Sequence, residues 1–300
     1  MSAIKHHYNP QVYLRRFTNS KAKNQLWEYD LINGTVKEST PKKSGCEDYY
    51  HSFLRADGIR DDDSIEKDFR KIENRLPDFF EAIRNKQPMP VHLWADLFVF
   101  AALLRARCPK QLHSLQNTWS KALTQVFGLW KQTPEFDEKV RQDGFDPDKI
   151  RKLNNSITAN KDMILLGTLS SFSKGNLAKL FARMKWGFFC APTDKCFFTS
   201  DDPVCCWAQP DSRGPFGAVG PANKHVEITF PLTQRICAFG NWKSCLQNLY
   251  NPLAADAVDA INYRTIQNGY RFIYGPTNDA HIASIVEEFV NFKQTQQSSA

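Results

Sequence analysis

The spacing of apolar and polar positions divides the chain into a helical stretch between two stretches of strands. Near the N-terminus, QLWEYDL and TVKES flank Asn33–Gly34, a dipeptide typical of a tight hairpin turn. From Ser64 the apolar residues recur every three or four positions, starting with Ile65 and Phe69, which indicates amphipathic helices. The pattern changes again at Lys185, where short aromatic and β-branched segments begin.

The central stretch contains no convincing strand pattern. Helices are predicted at 64–76, 79–85, 92–107, 110–131, 135–143, 147–157 and 161–184. Pro77 should end or kink the first of these helices. The helix at 92–107 is almost wholly apolar, so we expect it to be buried on most sides.

The C-terminal stretch reads as strands followed by two helices. The predicted strands are KWGFFCAP, KCFFTS, PVCCWA, HVEITFPL, RICAFG and YRFIYG. Asn251–Pro252 is a typical helix start and predicts a helix over 252–267, and a closing helix is predicted over 277–292. We therefore expect one α+β domain over residues 1–300. Its parts are an N-terminal motif and hairpin (1–63), a helical region (64–184), a β-rich, largely antiparallel region with two C-terminal helices (185–293) and a frayed tail (294–300).

Composition narrows the class of protein. Hydrophobic residues make up 42% and charged residues 24% of the chain, which excludes a disordered or collagen-like protein. The longest apolar run, Leu97–Leu104, is far shorter than the roughly 20 residues of a membrane-spanning helix. The N-terminus lacks the apolar core of a secretory signal, and none of the 8 cysteines forms a C-x-x-C pair. We expect a cytoplasmic protein with reduced thiols and no zinc ribbon. The net charge of +7 favours phosphate-bearing partners without requiring them.

Reactive side chains concentrate in the opening segment, Lys5 to Phe17. Two adjacent histidines, His6 and His7, precede a glutamine and two arginines, and apolar residues lie between them. Those apolar residues indicate that the segment is anchored in the fold. Imidazole and guanidinium groups held in this way can supply metal ligands, a general base or a phosphate clamp. A histidine pair near a terminus is also consistent with a plain surface feature.

A second concentration is the segment FFTSDDPV at 197–204. Asp201 follows a strand directly, and carboxylates held at a strand end beside a tight turn suit catalysis or metal binding. An aspartate before proline equally favours a turn through bonds to the backbone.

The helical region offers a third set of charges. Glu66 and Glu73 are two helical turns apart and share a face, although mixed charge at such spacing is also typical of a solvated surface. Arg105 and Arg107 lie at the end of the apolar helix, where the helix dipole favours cations in any case.

Together these segments resemble a known family. The opening His6-His7-Tyr8-x-Pro10-Gln11-x-Tyr13-Leu14-Arg15-x-Phe17 and the later box Phe197–Val204 are similar to the two specific motifs of a widespread family of roughly this length, which is catalogued as a domain of unknown function. Weaker markers are Ile72-Glu73, Arg105-x-Arg107-Cys108-Pro109 and the strand Phe230–Thr233.

The resemblance covers about residues 6–275 and implies that the opening and the aspartate box belong to one site. It implies no established activity. Two positions depart from the family pattern. Asp202 stands where asparagine is as frequent, which makes Asp201 the better candidate for an essential carboxylate. Val12 replaces a frequent aromatic residue, which affects packing alone.

The first functional hypothesis is a hydrolase acting on a phosphate-containing substrate, in particular a metal-dependent nuclease. Its predicted catalytic residues are His6, His7, Asp201 and Glu73, of which Asp201, Glu73 and His7 are predicted to bind Mg²⁺ or Mn²⁺. The predicted substrate-binding residues are Gln11, Arg15, Arg16, Arg105 and Ser200. The expected partner is nucleic acid or a nucleotide. A metal-free version, with a histidine as base and arginines on the phosphate, is a variant of the same hypothesis.

The second hypothesis is a non-catalytic ligand-binding or sensor module. In this case the opening segment docks on the sheet as a structural latch, with His6 or His7 hydrogen-bonded to Asp201, and the ligand lies under the loop at 211–223.

No P-loop, H-E-x-x-H or G-x-S-x-G motif is present, which disfavours nucleoside-triphosphatase, zincin and α/β-hydrolase activities.

Overall fold

The computed structural model describes residues 5–19, 24–153, 157–214, 217, 219–243 and 246–298. Positions 215, 216 and 218 of the loop expected over a ligand, together with Cys245 and the last two residues of the tail, lie outside the described residues. About half of the chain is helical and the strands pair in antiparallel sheets, which confirms the α+β class. Within these ranges, no helix combines the length and the apolar character needed to span a membrane.

Eight of the thirteen strands in the described residues lie in predicted segments, and the other five, at 5–7, 46–48, 53–54, 60–61 and 250–252, were not predicted. In chain order the strands are β1 (Lys5–His7), β2 (Leu26–Asp30), β3 (Val36–Ser39), β4 (Cys46–Asp48), β5 (Phe53–Leu54), β6 (Arg60–Asp61), β7 (Lys185–Cys190), β8 (Thr199–Ser200), β9 (Cys205–Trp207), β10 (Glu227–Pro231), β11 (Ile236–Asn241), β12 (Tyr250–Pro252) and β13 (Phe272–Gly275). The predicted turn between β2 and β3 is present, and Gly34 adopts the positive φ of 69° that glycine tolerates best.

Two sheets and two short ribbons organise these strands. One sheet has the order β3-β2-β13-β8 and is antiparallel throughout. The other has the order β12-β7-β11-β10-β9, in which β12 alone runs parallel to its neighbour. The ribbons are β1–β4 and β5–β6.

The helical region lies between β6 and β7, as predicted. The helices of the described chain are α1 (Gln11–Leu14), α2 (Ser64–Glu73), α3 (Leu76–Arg84), α4 (Val91–Arg107), α5 (Pro109–Trp130), α6 (Pro134–Gln142), α7 (Pro147–Lys152), α8 (Lys161–Ser173), α9 (Asn176–Phe181), α10 (Ala255–Asn268) and α11 (Ala280–Ser298). As expected from its composition, α4 is buried along most of its length.

Several predicted boundaries are wrong for local reasons. Gly175, with φ of 66°, interrupts the helix expected over 161–184 and separates α8 from α9. The helix begun at Ser64 does break before Pro77, as predicted, but α2 already ends at Glu73, and Pro77 lies in the first turn of α3, where proline is tolerated. Pro252 belongs to β12, because its neighbours pair with β7, and α10 begins three residues later. Most of the tail expected to fray is helical, since α11 continues to Ser298.

The opening segment is part of the main core. Tyr13, Leu14 and Phe17 are fully buried, and the Tyr13 ring lies 5.7 Å from that of Phe100 on α4 and 5.8 Å from that of Phe230 on β10. The N-terminal residues therefore join the helical region to the five-stranded sheet, and any chemistry they carry is held rigidly.

Candidate functional site

His6 is held by the β1–β4 ribbon. It pairs with Glu47 in the register and is fully buried. Its Nδ1 accepts a hydrogen bond of 3.0 Å from the backbone N–H of His51. A neutral imidazole that accepts through Nδ1 carries its proton on Nε2. His6 therefore presents an N–H group to its surroundings.

His51 has the opposite arrangement. Its Nδ1 lies 2.5 Å from Oε1 of Glu66 on α2. Burial lowers the pKa of His51 to about 4, so the ring is neutral near pH 7. Burial would raise the pKa of Glu66, but the hydrogen bond from His51 and the charges nearby hold it below its usual value. A neutral His51 thus donates from Nδ1 to an ionised Glu66, and its Nε2 is left as an acceptor.

The two imidazole rings face each other. Their planes are inclined by 9° and their centroids are 5.8 Å apart. The Nε2 atoms of His6 and His51 are both buried and have no hydrogen-bond partner within the described residues. One ring thus has a donor and the neighbouring ring an acceptor that the described residues leave without a partner.

A buried arginine completes this group. Arg107, the last residue of α4, is 1% exposed, and its Nη1 donates to Oε1 of Glu73 at 3.0 Å. Its guanidinium lies 5.0 Å from the centroid of the Phe69 ring. Among the residues described, no partner is found for its Nε or Nη2. We call His6, His51, Glu66, Glu73 and Arg107 the histidine cluster.

The charges of the cluster act on one another. The positive charge of Arg107 contributes to the lowered pKa values of both His51 and Glu66. His7, on the next position of β1, is partly buried, and this burial lowers its pKa. The side chains of Glu66 and Glu73 are 15% and 23% exposed, so the cluster reaches solvent on the side of α2.

The donor atoms were tested for their fit to a metal ion. His6, His51 and Glu66 each offer one ligand atom within 4.8 Å of the others, and they are the one such group of three in the described part of the chain. Two of the three are imidazoles, whereas Mg²⁺ prefers oxygen ligands. In addition, Nε2 of neutral His6 carries a proton and has no lone pair to donate. In this hydrogen-bonded state the cluster therefore suits Mg²⁺ poorly.

Asp201 lies elsewhere and has a structural role. Its carboxylate accepts hydrogen bonds from three consecutive backbone N–H groups, those of Tyr270, Arg271 and Phe272, at 2.7–2.9 Å. It is fully buried, and burial raises its pKa to about 6. The predicted metal set of Asp201, Glu73 and His7 does not come together in the described residues.

The predicted latch forms with other atoms. The opening segment does dock beside the aspartate box, but Asn9 and Tyr13 make the contact: Nδ2 of Asn9 donates to the Ser200 carbonyl at 2.7 Å, and the Tyr13 hydroxyl lies 2.6 Å from Oγ1 of Thr199. The partners of Asp201 are backbone groups, so the expected histidine–Asp201 bond is wrong.

The remaining predicted residues are dispersed. Ser200 is fully buried, and its hydroxyl accepts from the backbone of Asp202. Arg105 is paired with Asp202 at 3.4 Å and also donates to the Val204 carbonyl. Gln11 begins α1 and is partly exposed. The last two, Arg15 and Arg16, line a different cavity.

Comparison with known proteins places the chain in a family. The sequence model of a family described as "Protein of unknown function (DUF4238)" matches residues 5–279. The chain belongs to this family. No curated protein and no solved structure matches it. The DUF4238 match begins at β1 and ends beyond β13, so it contains the whole histidine cluster and the aspartate box.

Two members of the cluster in this DUF4238 protein escaped sequence reasoning. His51 lies in a loop without a motif, and the structure brings it to His6 through pairing of β1 with β4. Arg107 was noted as a cation at a helix end, a position that the helix dipole explains by itself. The sequence feature that could have indicated Arg107 was the shared helix face of Glu66 and Glu73, because both carboxylates lie near its guanidinium.

The arrangement has a clear chemical capacity. A carboxylate that fixes the tautomer of a neutral imidazole leaves its Nε2 free to accept a proton, as in hydrolases with a His–Asp or His–Glu pair. The His6 N–H and the free guanidinium nitrogens of Arg107 are donors for an anionic oxygen. The DUF4238 chain thus brings together one base and two kinds of anion donor.

Proposed function

We propose that this DUF4238 protein hydrolyses a phosphate ester at the histidine cluster. The observation that carries the proposal is the opposite hydrogen-bonding state of two facing imidazoles, His6 and His51, beside the unpartnered nitrogens of buried Arg107. Buried polar atoms are normally satisfied, so several unsatisfied ones at one place support a site for a polar ligand.

The residues have separate roles in this reaction. His51, oriented by Glu66, takes a proton from water at Nε2, and the water oxygen bonds to phosphorus. The bond from phosphorus to the leaving oxygen breaks on the opposite face, and that oxygen takes a proton from solvent water. His6 and Arg107 donate hydrogen bonds to the non-bridging oxygens, where negative charge increases in the transition state. The proton on His51 then returns to solvent.

Nucleic acid is the preferred substrate class. The chain carries a net charge of +7, which attracts polyanions. The partly exposed side chains on α2 mark the side from which a phosphodiester would approach.

A metal-dependent form of the reaction is the second candidate. One ligand atom from each of His51, Glu66 and His6 lies within 4.8 Å of the others, which favours this form. It requires each imidazole to turn a lone pair toward the ion in place of the hydrogen bonds described above. A bound Mn²⁺ would polarise the phosphoryl oxygen and lower the pKa of a water molecule. This form predicts activity that EDTA abolishes and Mn²⁺ restores, whereas the base mechanism predicts activity that survives EDTA.

The test is a cleavage assay with labelled single-stranded RNA and DNA, in EDTA and in Mn²⁺. We expect His51→Gln and Glu66→Gln to lose about 10²–10⁴-fold in rate, the range for removal of a general base. His92→Gln is the matched control, because His92 is exposed on α4 and away from the cluster. Circular dichroism establishes that each variant is folded.

Two results would reject the hydrolase. One is cleavage by both cluster variants at the wild-type rate, which would indicate a contaminating nuclease. The other is the absence of cleavage by the folded wild-type protein under every condition.

A further inference from the structure

A basic pocket lies on a part of the molecule that the histidine cluster does not share. It has a volume of about 510 Å³ and lies between the turn that follows α1, the end of α3, the last residue of β7 and the first residue of β11. Its cationic lining residues are Arg15, Arg16, Arg84, Lys86 and Arg235. No carboxylate is found among the described residues that line it.

The positive charge in this pocket is poorly compensated. Arg16 stacks on Phe80 with its guanidinium 4.6 Å from the ring centroid, and its buried Nε has no partner in the described chain. Burial lowers the pKa of Arg16, and the charges of Arg84 and Arg15 lower it further. The nearest counter-charge of Arg84 is Glu81, 3.8 Å away on an exposed helix surface. An anion would relieve this repulsion.

Arg235 forms a fixed wall of the pocket. Its Nη1 donates to the Pro192 carbonyl at 2.7 Å, and its Nη2 donates to the Thr193 carbonyl at 2.8 Å. These carbonyls hold the guanidinium in place without neutralising its charge. Pre-positioned cations of this kind reduce the entropy lost when an anion binds.

Lys86 occupies a position where the backbone favours glycine. It follows the end of α3 with φ of +49°, and the backbone N–H of Gln87 donates to the Ala82 carbonyl at 2.9 Å, as in a helix cap that normally carries glycine. A non-glycine residue in this region is strained. The lysine thus places an ammonium group beside the pocket at a position where the backbone conformation favours glycine.

We propose that the basic pocket binds the phosphate group of a phosphorylated ligand. Its volume is that of a small-molecule site. Arginine guanidinium groups recognise phosphate by paired hydrogen bonds. The Thr233 hydroxyl on the pocket wall accepts from the backbone N–H groups of Arg235 and Ile236, so its own hydrogen can be donated to the ligand. Phe80 and Ile236 supply an apolar surface for the rest of the ligand. The proposal does not depend on hydrolysis at the histidine cluster.

The test is calorimetric titration of the full chain with inorganic phosphate, AMP, adenosine and a short single-stranded oligodeoxynucleotide. We expect AMP to bind and adenosine not to bind. Lys86→Gly and Arg16→Gln should each weaken AMP binding about tenfold, the loss expected for one charge-assisted contact. The oligonucleotide identifies the source of the phosphate: tighter binding than AMP indicates a nucleic-acid backbone, and weaker binding indicates a small ligand.

Two control variants distinguish the loss of a positive charge from the change in backbone strain and from unspecific effects of substitution. Asn24→Gly relaxes another positive-φ residue, with φ of 62°, without removing a cation, and should leave AMP affinity unchanged. His92→Gln, an exposed variant outside both sites, should also bind AMP normally. The titration does not depend on cleavage, so failure of the hydrolase proposal leaves this result intact. Because Lys86→Gly relieves a strained backbone, it should be at least as stable as wild type. Equal binding of adenosine and AMP, or wild-type affinity in both pocket variants, would overturn the proposal.

Discussion

Replacing Asp201 by alanine should destabilise the protein strongly. The change leaves the N–H groups of Tyr270, Arg271 and Phe272 without their acceptor. An unsatisfied buried donor costs about 1–3 kcal/mol. Residues 270–272 are partly exposed, so water restores some of these bonds and the lower end of that range applies. We expect a loss of about 3 kcal/mol in total, or roughly 6–12 °C in melting temperature for a chain of this size.

The assay is equilibrium unfolding in urea at pH 7, followed by circular dichroism. Asp68→Ala is the matched control, because Asp68 is an exposed aspartate on α2 with a surface ion pair to Lys71, and it should change the free energy of unfolding by less than about 0.5 kcal/mol. A loss below about 1 kcal/mol for Asp201→Ala would refute a structural role for this carboxylate.

The pH dependence tests the same residue independently. Burial raises the pKa of Asp201 from 3.8 to about 6, so the folded state binds its proton more tightly than the unfolded state. The resulting stability is present below pH 4 and is lost as the pH rises through 6. The difference corresponds to about 3 kcal/mol. The stability of wild type relative to Asp201→Asn should therefore fall by about 3 kcal/mol between pH 3 and 7, and a constant difference would contradict the argument.

Three further outcomes follow from the structure. Burial lowers the pKa of His51 to about 4, so the stability that neutral His51 contributes is present above pH 6.5 and is lost as the pH falls toward 4. In urea unfolding over that range, the free energy of unfolding of wild type should fall by about 3 kcal/mol relative to that of His51→Gln. Gly275→Ala would place a Cβ 2.0 Å from the buried Phe198 ring, so it should lower the melting temperature measured by calorimetry by several degrees. The Cβ of the control variant Gly34→Ala meets no neighbour, so this variant should lose only the stability that its backbone strain removes. Tyr13→Phe removes a hydroxyl with two buried partners and should lower the free energy of unfolding by about 1–3 kcal/mol; an unchanged urea midpoint would contradict this.

The fold was largely predictable because its long elements follow the two simple periodicities of apolar residues. The predicted α4 agrees within one residue, and the aromatic segments from Lys185 onward supply four strands of the five-stranded sheet and two of the four-stranded sheet. What escaped prediction depends on distant partners. The β1–β4 ribbon is too short to have a period, and Pro252 pairs as a strand only because β7 lies beside it.

The candidate site was only partly predictable for the same reason. His6 and Glu73 were singled out by residue type and spacing, and both belong to the histidine cluster. The environment of Asp201 could not be read from its neighbours, because its partners are backbone groups some seventy positions later. A strand-end aspartate that serves catalysis and one that fastens a turn have the same local sequence, and only the contacts distinguish them.

The pairing of β2 with β13 has a consequence for how the chain is made. Tyr29 lies opposite Ile273, so β2 cannot pair with β13 until residues more than two hundred positions later have been made. During synthesis the hairpin of β2 and β3 leaves the ribosome before β13 is made, and Tyr13 lacks its partner on β10 until Pro231 has been translated. Such long-range closure slows folding and exposes nascent strands to aggregation. A chain truncated before β13 would therefore be incompletely folded and prone to aggregation, although every helix of the central region would already be present.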